Sequence, residues 1–326
     1  MLVPVLLFVV GLLLLIKGGD WFVDGATGIA QRFHVPEIII GATVVSIGTT
    51  LPEVMVSATS ALTGHGEIAY GNAIGSIICN TALIAAITVA IRPGPVDTKA
   101  LKTPVLFFFV SAAIYCLNAY ISGYFSRVLG IVLLAVFALY LYVTVRQGFR
   151  NPVPQEEPED PEKAAEIHRN SIGKDFILLV IGAALVAVGA DLLVDNGTLI
   201  AKGLGVPESV IALTFVALGT SLPELVTAIT SLAKGHGALS LGNVIGANIF
   251  NLVLVSGISV TLAPFRIPQS STIGGMNASL VLDIPLMLFV MAFLTLPALA
   301  SKKLKRYQGI VLLAIYAAFC AVQFSM

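Results

Sequence analysis

Charged side chains are scarce in this sequence. Only 11% of its 326 residues are Asp, Glu, Lys or Arg and 57% are hydrophobic, whereas a soluble domain carries roughly 25% charged residues. The mean hydropathy of +0.96 excludes an ordinary soluble domain and indicates a protein that crosses a membrane several times. The net charge of zero excludes an electrostatic nucleic-acid binder.

Cysteine is also scarce, and its placement excludes two further classes of protein. Cys79, Cys116 and Cys320 are far apart and each lies in an apolar segment, so we predict neither a disulfide framework nor a metal–thiolate site. The apolar segment 2–16 has no basic stretch before it and no A-x-A-like cleavage site after it. It is therefore interpreted as a retained first span, not a removable signal peptide.

Apolar runs of about 20 residues, the length that crosses a hydrocarbon core of about 30 Å, number ten. They cover 2–18, 36–62, 69–91, 103–119, 125–145, 174–193, 207–233, 238–262, 277–297 and 307–324. The polar segment 147–173 is rich in Pro and Glu and predicts a solvated linker. The expected division is a five-span repeat at 1–146, a cytoplasmic linker at 147–173 and a five-span repeat at 174–326.

The two halves carry a repeat. Residues 20–80 align with 191–251 at a constant offset of 171, and 28 of these 61 positions are identical. Because equivalent spans lie five apart, they cross the membrane in opposite directions. The sequence thus predicts an all-α membrane protein of ten transmembrane helices arranged as two inverted five-helix repeats, an architecture that places substrate near the midplane of the membrane.

The basic residues predict the orientation. If the N-terminus is outside, 15 of the 18 Lys and Arg residues fall in cytoplasmic loops. The positive-inside rule therefore predicts that the N-terminus and the C-terminus both lie outside.

A short motif occurs once in each repeat, GTTLPE at 48–53 and GTSLPE at 219–224. Proline removes a backbone donor and clashes with the carbonyl four residues earlier, so we expect the helix to break or kink there. Carbonyls freed at membrane depth line a cavity or are buried in protein. Glu53 and Glu224 follow the prolines directly. A single copy would be consistent with a kinked helix whose Glu snorkels, but two copies favour a functional site.

A second motif follows each of these, GNAIGSIICN at 71–80 and GNVIGANIFN at 242–251. Its glycines allow helices to approach closely. Its polar residues recur at helical spacing and share a face: Asn72, Ser76 and Asn80 in the first copy and Asn243, Ala247 and Asn251 in the second. For Asn72 and Asn243, cation ligation and hydrogen bonding between helices both remain open.

The donor atoms in these motifs are all oxygens, with no His or Cys pair beside the acids, which favours Ca²⁺, Mg²⁺ or Na⁺ over zinc or copper. One Ca²⁺, two Na⁺ or two protons would each neutralise two membrane-buried carboxylates. Such mutually exclusive occupancy is what an antiporter needs. The alternatives are a passive cation channel and an intramembrane acid-type hydrolase, although a hydrolase gives no reason to duplicate a Thr, Ser and Asn ligand shell.

The paired G-T-[ST]-L-P-E and G-[SA]-x-I-x-N motifs resemble the two alpha-repeats of the cation/calcium exchanger superfamily, in particular its compact bacterial sodium/calcium antiporters. The resemblance implies Ca²⁺ ligands at Glu53 and Glu224 with the carbonyls of Thr49 and Thr220. It also implies alternating access, in which spans 1 and 6 slide against the rest. The implied Na⁺ ligands are Ser46, Thr49, Thr50, Ser76 and Asn80 in the first repeat and Ala217, Thr220, Ser221, Ala247 and Asn251 in the second.

Two positions depart from that pattern. Ala247 stands where relatives commonly have Ser, which removes a hydroxyl from one Na⁺ site. Asn251 stands where some relatives have Asp, and the resemblance then implies independence from K⁺. It further implies a non-enzymatic transporter without a cofactor, functional as a monomer in a bacterial inner membrane. Proton/Ca²⁺ exchange is the alternative, since buried carboxylates that share a low-dielectric space also bind protons.

The remaining acidic residues are assigned structural roles. Glu37 and Glu208 begin spans 2 and 7, where helix N-termini favour carboxylates. We expect four aspartates at the ends of spans 1 and 6, and no role is assigned to His65 and His236. These aspartates are Asp20, Asp24, Asp191 and Asp195.

Overall fold

The computed structural model describes residues 2–150, 172–204, 219–269 and 272–325, which are mostly helical. The α-helices are α1 (Leu2–Arg32), α2 (Glu37–Ile40), α3 (Ser46–Leu62), α4 (Gly66–Cys79), α5 (Ala86–Ile91), α6 (Thr98–Ser122), α7 (Arg127–Arg150), α8 (Ile172–Gly203), α9 (Leu222–Ala233), α10 (Gly237–Phe250), α11 (Ser256–Leu262), α12 (Ile284–Ser301) and α13 (Arg306–Ser325). Wider π-helical turns cover Gly41–Val45, Asn80–Ala85, Asn251–Val255 and Ser279–Asp283. Two-residue strands pair antiparallel: Gly94–Pro95 with Lys303–Leu304, Tyr124–Phe125 with Phe265–Arg266, and Thr272–Ile273 with Met276–Asn277.

The predicted all-α membrane fold is confirmed. Among the described residues, nine helical segments are long and apolar enough to cross a membrane. The shorter helix α9 lies in the predicted span 207–233, whose residues up to 218 are outside the described part of the chain. Most of the predicted linker also lies outside it, and its two ends belong to α7 and α8.

Helices α1 and α8 are much longer than the predicted spans 2–18 and 174–193. They have 31 and 32 residues and, at about 1.5 Å per residue, exceed a hydrocarbon core of about 30 Å. Asp20 and Asp24 therefore lie inside α1, and Asp191 and Asp195 inside α8, so both helices continue past the ends predicted for spans 1 and 6. Hydropathy locates the segment that is solvated by lipid, whereas the helix itself continues beyond it.

The chain forms two compact units, and each draws on both halves of the sequence. Unit 1 contains Met1–Thr49 and Val145–Asn243, and unit 2 contains Thr50–Thr144 and Val244–Met326. The three boundaries fall inside α3, α7 and α10. The units are defined by contacts and the repeats by sequence identity, so the division into two five-span repeats stays a prediction.

Glycines bring α1 and α8 together in unit 1. A Cβ atom built on Gly11 would lie 2.9 Å from the carbonyl oxygen of Gly189, and one on Gly18 would lie 2.8 Å from the backbone nitrogen of Val186. Without a side chain, these residues let the two backbones touch. Beyond the glycines, the Nε and Nη2 atoms of Arg32 donate to one carboxylate oxygen of Asp175 at 3.0 and 2.9 Å.

Aromatic rings fill part of the core of unit 2. The Phe125 ring stacks on Tyr115 with centroids 4.8 Å apart and contacts Phe265 at 5.5 Å. Phe125 and Phe265 belong to one of the short strand pairs, so this pair ties the loop before α7 to the loop after α11. The same unit holds the first copy of the second motif and residues 244–251 of its second copy.

Candidate cation site

Both copies of the second motif end in a π-helical turn, which sequence reasoning missed. Asn80 is the first residue of Asn80–Ala85, and Asn251 is the first residue of Asn251–Val255. Single π-helical turns inside α-helices are frequent at functional sites because the widened turn re-aims side chains and backbone oxygens. Hydrophobic periodicity carries no signal for such a turn, but its occurrence at equivalent positions of the two repeats supports a role for both asparagines.

Serine hydroxyls bridge two of the widened turns. The Ser256 hydroxyl donates to the carbonyl oxygen of Asn251 at 3.0 Å, and the Ser46 hydroxyl donates to that of Gly41 at 2.8 Å. Each bond spans five residues, the separation that a π-turn brings into register. Ser46 therefore holds the turn that precedes the first GTTLPE motif.

The second Pro-Glu motif, in unit 1, begins a helix. Residues Gly219 and Thr220 form a turn, Ser221 is the N-terminal cap, and α9 starts at Leu222 with Pro223 in its first turn. A helix therefore begins at this motif, and the residues just before Gly219 are outside the described part of the chain. Glu224 is 0% exposed and lies in that first turn, where the helix dipole favours a carboxylate.

The first Pro-Glu motif behaves differently. Helix α3 runs from Ser46 to Leu62 with Pro52 in its interior, so no break occurs in this copy. The irregularity lies about two to three turns before Pro52, in the π-turn Gly41–Val45. Glu53, in unit 2, is 0% exposed and lies on this continuous helix.

Asn243 connects two segments of unit 1. Its side-chain oxygen accepts from the Thr49 hydroxyl at 3.2 Å and from the Ser46 hydroxyl at 3.3 Å, and its backbone carbonyl accepts from Ser46 at 3.0 Å. In unit 2, the side-chain amide of Asn72 donates to the backbone carbonyl of Glu53 at 3.2 Å and to the Ser57 hydroxyl at 2.8 Å. Both asparagines thus make hydrogen bonds between helices, which is one of the two roles that the sequence left open for them.

Several predicted ligands are buried and keep polar atoms without hydrogen-bond partners in the described part of the chain. In unit 2 these are the Thr50 hydroxyl and both amide atoms of Asn80 and of Asn251, and in unit 1 the Ser221 hydroxyl. A buried polar group left unsatisfied costs about 1–3 kcal/mol. A bound cation would coordinate the hydroxyl and amide oxygens in this set and so replace the hydrogen bonds that they lack.

The other predicted ligands divide between the units as follows. Ser76 and Ala247, in unit 2, are buried, at 5% and 0% exposure. The helix α4 that carries Ser76 contacts the π-turn Asn251–Val255. In unit 1, Ser46 and Thr49 are buried and bonded to Asn243, and Thr220 lies in the turn before α9. Ala217 is outside the described residues.

One buried asparagine was missed. Asn248, in unit 2, is 0% exposed, and its side-chain amide donates to the Thr81 hydroxyl at 2.7 Å and to the sulfur of Met291 at 3.1 Å. Its equivalent in the first repeat is Ile77. A polar residue within the apolar run 244–255 was the available signal, and the search for residues matched between the repeats passed over it.

Charged groups in unit 1 make contacts that the sequence did not predict, and Glu208 is outside the described residues. Glu37 does begin a helix, but its carboxylate also lies 2.7 Å from Nδ1 of His236. The pair joins α2 to the turn before α10, so His236 does have a structural partner. Nearby in the chain, the ammonium of Lys234 lies 2.7 Å from the carboxylate of Asp24 and 3.5 Å from that of Asp20.

Comparisons with known proteins identify the family. The family model described as sodium/calcium exchanger protein matches residues 3–146 and 174–325. A putative antiporter CaxA of Alkalimonas amylolytica is 35% identical over 330 residues, covering 100% of both chains. The sodium/calcium exchanger MaX1 of Methanosarcina acetivorans is 30% identical over 350 residues, covering 98% of both chains.

Solved structures agree. A structure of the sodium-calcium exchanger NCX_Mj, soaked with Na⁺ and Sr²⁺, superposes with a TM-score of 0.81 at 34% identity and covers 98% of both chains. The expected membership in the cation/calcium exchanger superfamily is confirmed. The chain belongs to the sodium/calcium exchanger family and is a multi-pass membrane transporter of the cation/Ca²⁺ antiporter class.

Proposed function

We propose that the protein exchanges Ca²⁺ for Na⁺ by alternating access and that Glu53 and Glu224 together bind the Ca²⁺. The observation that carries this proposal is the burial of both carboxylates, each 0% exposed, at equivalent positions of the two repeats. An ionised carboxylate in an apolar interior is costly unless a cation compensates it. One Ca²⁺ balances the charge of two.

The surrounding donor atoms suit hard cations. The hydroxyl of Thr50 and the amide oxygens of Asn80 and Asn251 make no other hydrogen bond within the described residues. The same holds for the hydroxyl of Ser221, which is close to Glu224 in the chain. Ca²⁺ takes six to eight oxygen ligands, so carboxylates, carbonyls, hydroxyls and amides are the set it requires. For Na⁺ we propose the residues implied by the resemblance, with Ala217 and Ala247 contributing backbone oxygen only.

The packing of α1 against α8 supports the expected conformational step. These helices correspond to spans 1 and 6, and the contact between Gly11 and Gly189 brings their backbones together. The ion pair of Arg32 with Asp175 adds a second link. Helices joined in this way would move as one body, as the sliding of spans 1 and 6 requires.

Exchange of Ca²⁺ for protons is the second candidate. Ala247 favours it, because a Na⁺ site that lacks one hydroxyl loses part of its coordination shell, whereas a proton needs only a carboxylate. A passive channel would pass Ca²⁺ without any counter-ion, and a hydrolase would cleave a helical substrate.

The decisive experiment measures Ca²⁺ uptake by purified protein in proteoliposomes. Vesicles loaded with Na⁺ are diluted into Na⁺-free medium containing ⁴⁵Ca²⁺, and parallel vesicles carry either an imposed pH gradient or equal ions on both sides. We expect uptake only under the outward Na⁺ gradient. Uptake driven by the pH gradient alone would identify proton exchange, and uptake without either gradient would identify a channel.

We also propose that the protein lies in a bacterial inner membrane as a monomer, with both termini outside and the 147–173 linker in the cytoplasm. The distribution of basic residues, 15 of 18 on one side, supports this orientation. The linker contributes no ligand to the proposed site, so a shortened linker should still allow transport.

A further inference from the structure

Asn248 lies in a polar cluster that the proposed ligand set does not include. Its side-chain amide is 2.7 Å from the Thr81 hydroxyl and 3.1 Å from the Met291 sulfur, and the Thr81 hydroxyl is itself 3.3 Å from that sulfur. All three residues belong to unit 2 and are buried. They connect α10, the π-turn Asn80–Ala85 and α12.

The chemistry of Met291 fixes which way the Asn248 amide faces. A thioether sulfur has no hydrogen to donate and only accepts hydrogen bonds. The amide atom that faces it must therefore be the nitrogen. Thr81 is consistent with this orientation, because its hydroxyl hydrogen points to the sulfur and its oxygen is left to accept from the same amide nitrogen.

The amide oxygen of Asn248 is consequently left over. It is buried and has no hydrogen-bond partner within the described residues. Leaving such an acceptor unsatisfied in an apolar interior is destabilising. The hydrogen bonds among Asn248, Thr81 and Met291 do not use this oxygen. These bonds therefore do not explain why the residue at position 248 carries a side-chain oxygen.

The repeat suggests what the oxygen does. The first repeat reads Ser76-Ile77 where the second reads Ala247-Asn248. A polar oxygen is thus present in both repeats but is shifted by one residue in the second. Asn248 precedes Asn251 by three residues, so the two side chains share one face of the segment.

We propose that the side-chain oxygen of Asn248 is a further ligand of the transported cation and substitutes for the hydroxyl that Ala247 lacks. Thr81 and Met291 are positioning residues that hold the amide nitrogen. This inference rests on the proposed function, because it assumes that unit 2 contributes to a site for Na⁺ or Ca²⁺.

The test compares single and double variants of the purified protein. Asn248→Ile introduces the residue of the first repeat and removes the oxygen, and Ala247→Ser restores a hydroxyl at the neighbouring position. The measurements are the Na⁺ concentration that displaces half of the bound ⁴⁵Ca²⁺, the Ca²⁺ affinity in Na⁺-free medium, and the unfolding temperature. Binding by the wild-type protein tests the proposed function separately.

We expect Asn248→Ile to raise the half-displacing Na⁺ concentration by about fivefold to tenfold, the effect of one lost polar contact. The double variant Ala247→Ser with Asn248→Ile should return to within about twofold of the wild type, and Ala247→Ser alone should change little because Asn248 is still present. Unchanged displacement in folded Asn248→Ile would overturn the inference, as would a loss that Ala247→Ser does not repair.

A second variant covers the case in which Asn248→Ile does not fold. Asn248→Asp keeps the shape of the side chain and adds a negative charge. It loses the contact with the Met291 sulfur, but its second oxygen can accept from the Thr81 hydroxyl, so a ligating position should gain affinity for Na⁺ or Ca²⁺ by at least about tenfold. Unchanged affinity for both ions in folded Asn248→Asp would refute the ligand role. If neither variant folds, Asn248 serves helix packing and the inference is wrong.

Discussion

Replacing one buried glutamate by glutamine separates its effect on ion binding from its effect on stability. Glu53→Gln keeps the shape of a side chain that is 0% exposed and removes its charge. If Glu53 and Glu224 share one Ca²⁺, either substitution leaves the ion with half of its compensating charge. The same substitution removes the cost of burying a carboxylate when no cation is bound.

The two effects differ in size and sign. Two unit charges 4 Å apart attract with about 4 kcal/mol at an effective dielectric constant of about 20, so a divalent ion loses about 8 kcal/mol of gross attraction for each carboxylate removed. Desolvation of that carboxylate offsets several kcal/mol. A net loss of about 4 kcal/mol would lower Ca²⁺ affinity by about three powers of ten. In chelator, the variant should be as stable as the wild type or more stable.

The assay is thermal unfolding of purified protein in detergent, in EDTA and then at increasing Ca²⁺. Wild-type protein should show an unfolding temperature that rises with Ca²⁺, because a ligand that binds only the native state stabilises it. Glu53→Gln and Glu224→Gln should lose this rise and should give no ⁴⁵Ca²⁺ uptake in proteoliposomes. Glu67→Gln makes the same chemical change at an exposed residue of α4 and should behave as wild type.

Either of two results would contradict these roles of the Glu53 carboxylate. Ca²⁺-dependent stabilisation of wild-type size in Glu53→Gln would show that this carboxylate does not bind the ion. A marked loss of stability of Glu53→Gln in EDTA would show that the carboxylate stabilises the fold through its own contacts, and that its burial does not lower the free energy of unfolding.

Three further predictions concern packing and topology. Asn243→Leu removes the oxygen that accepts from Ser46 and should lower the free energy of unfolding by about 1–3 kcal/mol, measured by thermal unfolding in detergent; an unchanged unfolding temperature would contradict it. Gly182→Val would drive a side chain into the backbone of α1 and should abolish a monodisperse gel-filtration peak. Gly71→Ala should elute as wild type, because no described atom beyond its own helical backbone lies within 4 Å of the added Cβ. A cysteine introduced by Glu157→Cys should react with an impermeant maleimide only after intact cells are permeabilised, and labelling of intact cells would reverse the predicted orientation.

The sequence was sufficient to predict the fold class and the candidate residues, for a physical reason. A carboxylate or amide inside a run of apolar residues is conspicuous because the membrane makes such a group expensive. Glu53 and Asn80 were found in this way, and the structure shows both to be fully buried. The repeat then supplied Glu224 and Asn251 by simple alignment.

What could not be predicted depends on contacts between residues that are distant in the sequence. The pairing of Glu37 with His236 and that of Arg32 with Asp175 join segments separated by 199 and 143 positions. No local pattern specifies such a partner. The length of α1 was likewise hidden, because hydropathy reports where lipid contacts the chain and not where the backbone stops being helical.

The Pro-Glu motif shows how tertiary context decides local structure. The two hexapeptides differ only at Thr50 and Ser221, yet α3 continues through Pro52 whereas α9 begins just before Pro223. Proline removes a backbone donor and displaces the carbonyl four residues earlier, which is that of Gly48 in the first copy and that of Gly219 in the second. Gly48 lies within α3, whereas Gly219 lies in the turn before α9. In the first copy, the π-turn Gly41–Val45 is held by the Ser46 hydroxyl, a group that the second copy lacks because Ala217 takes its place. Two motifs that differ at a single position thus predict the same chemistry without predicting the same backbone.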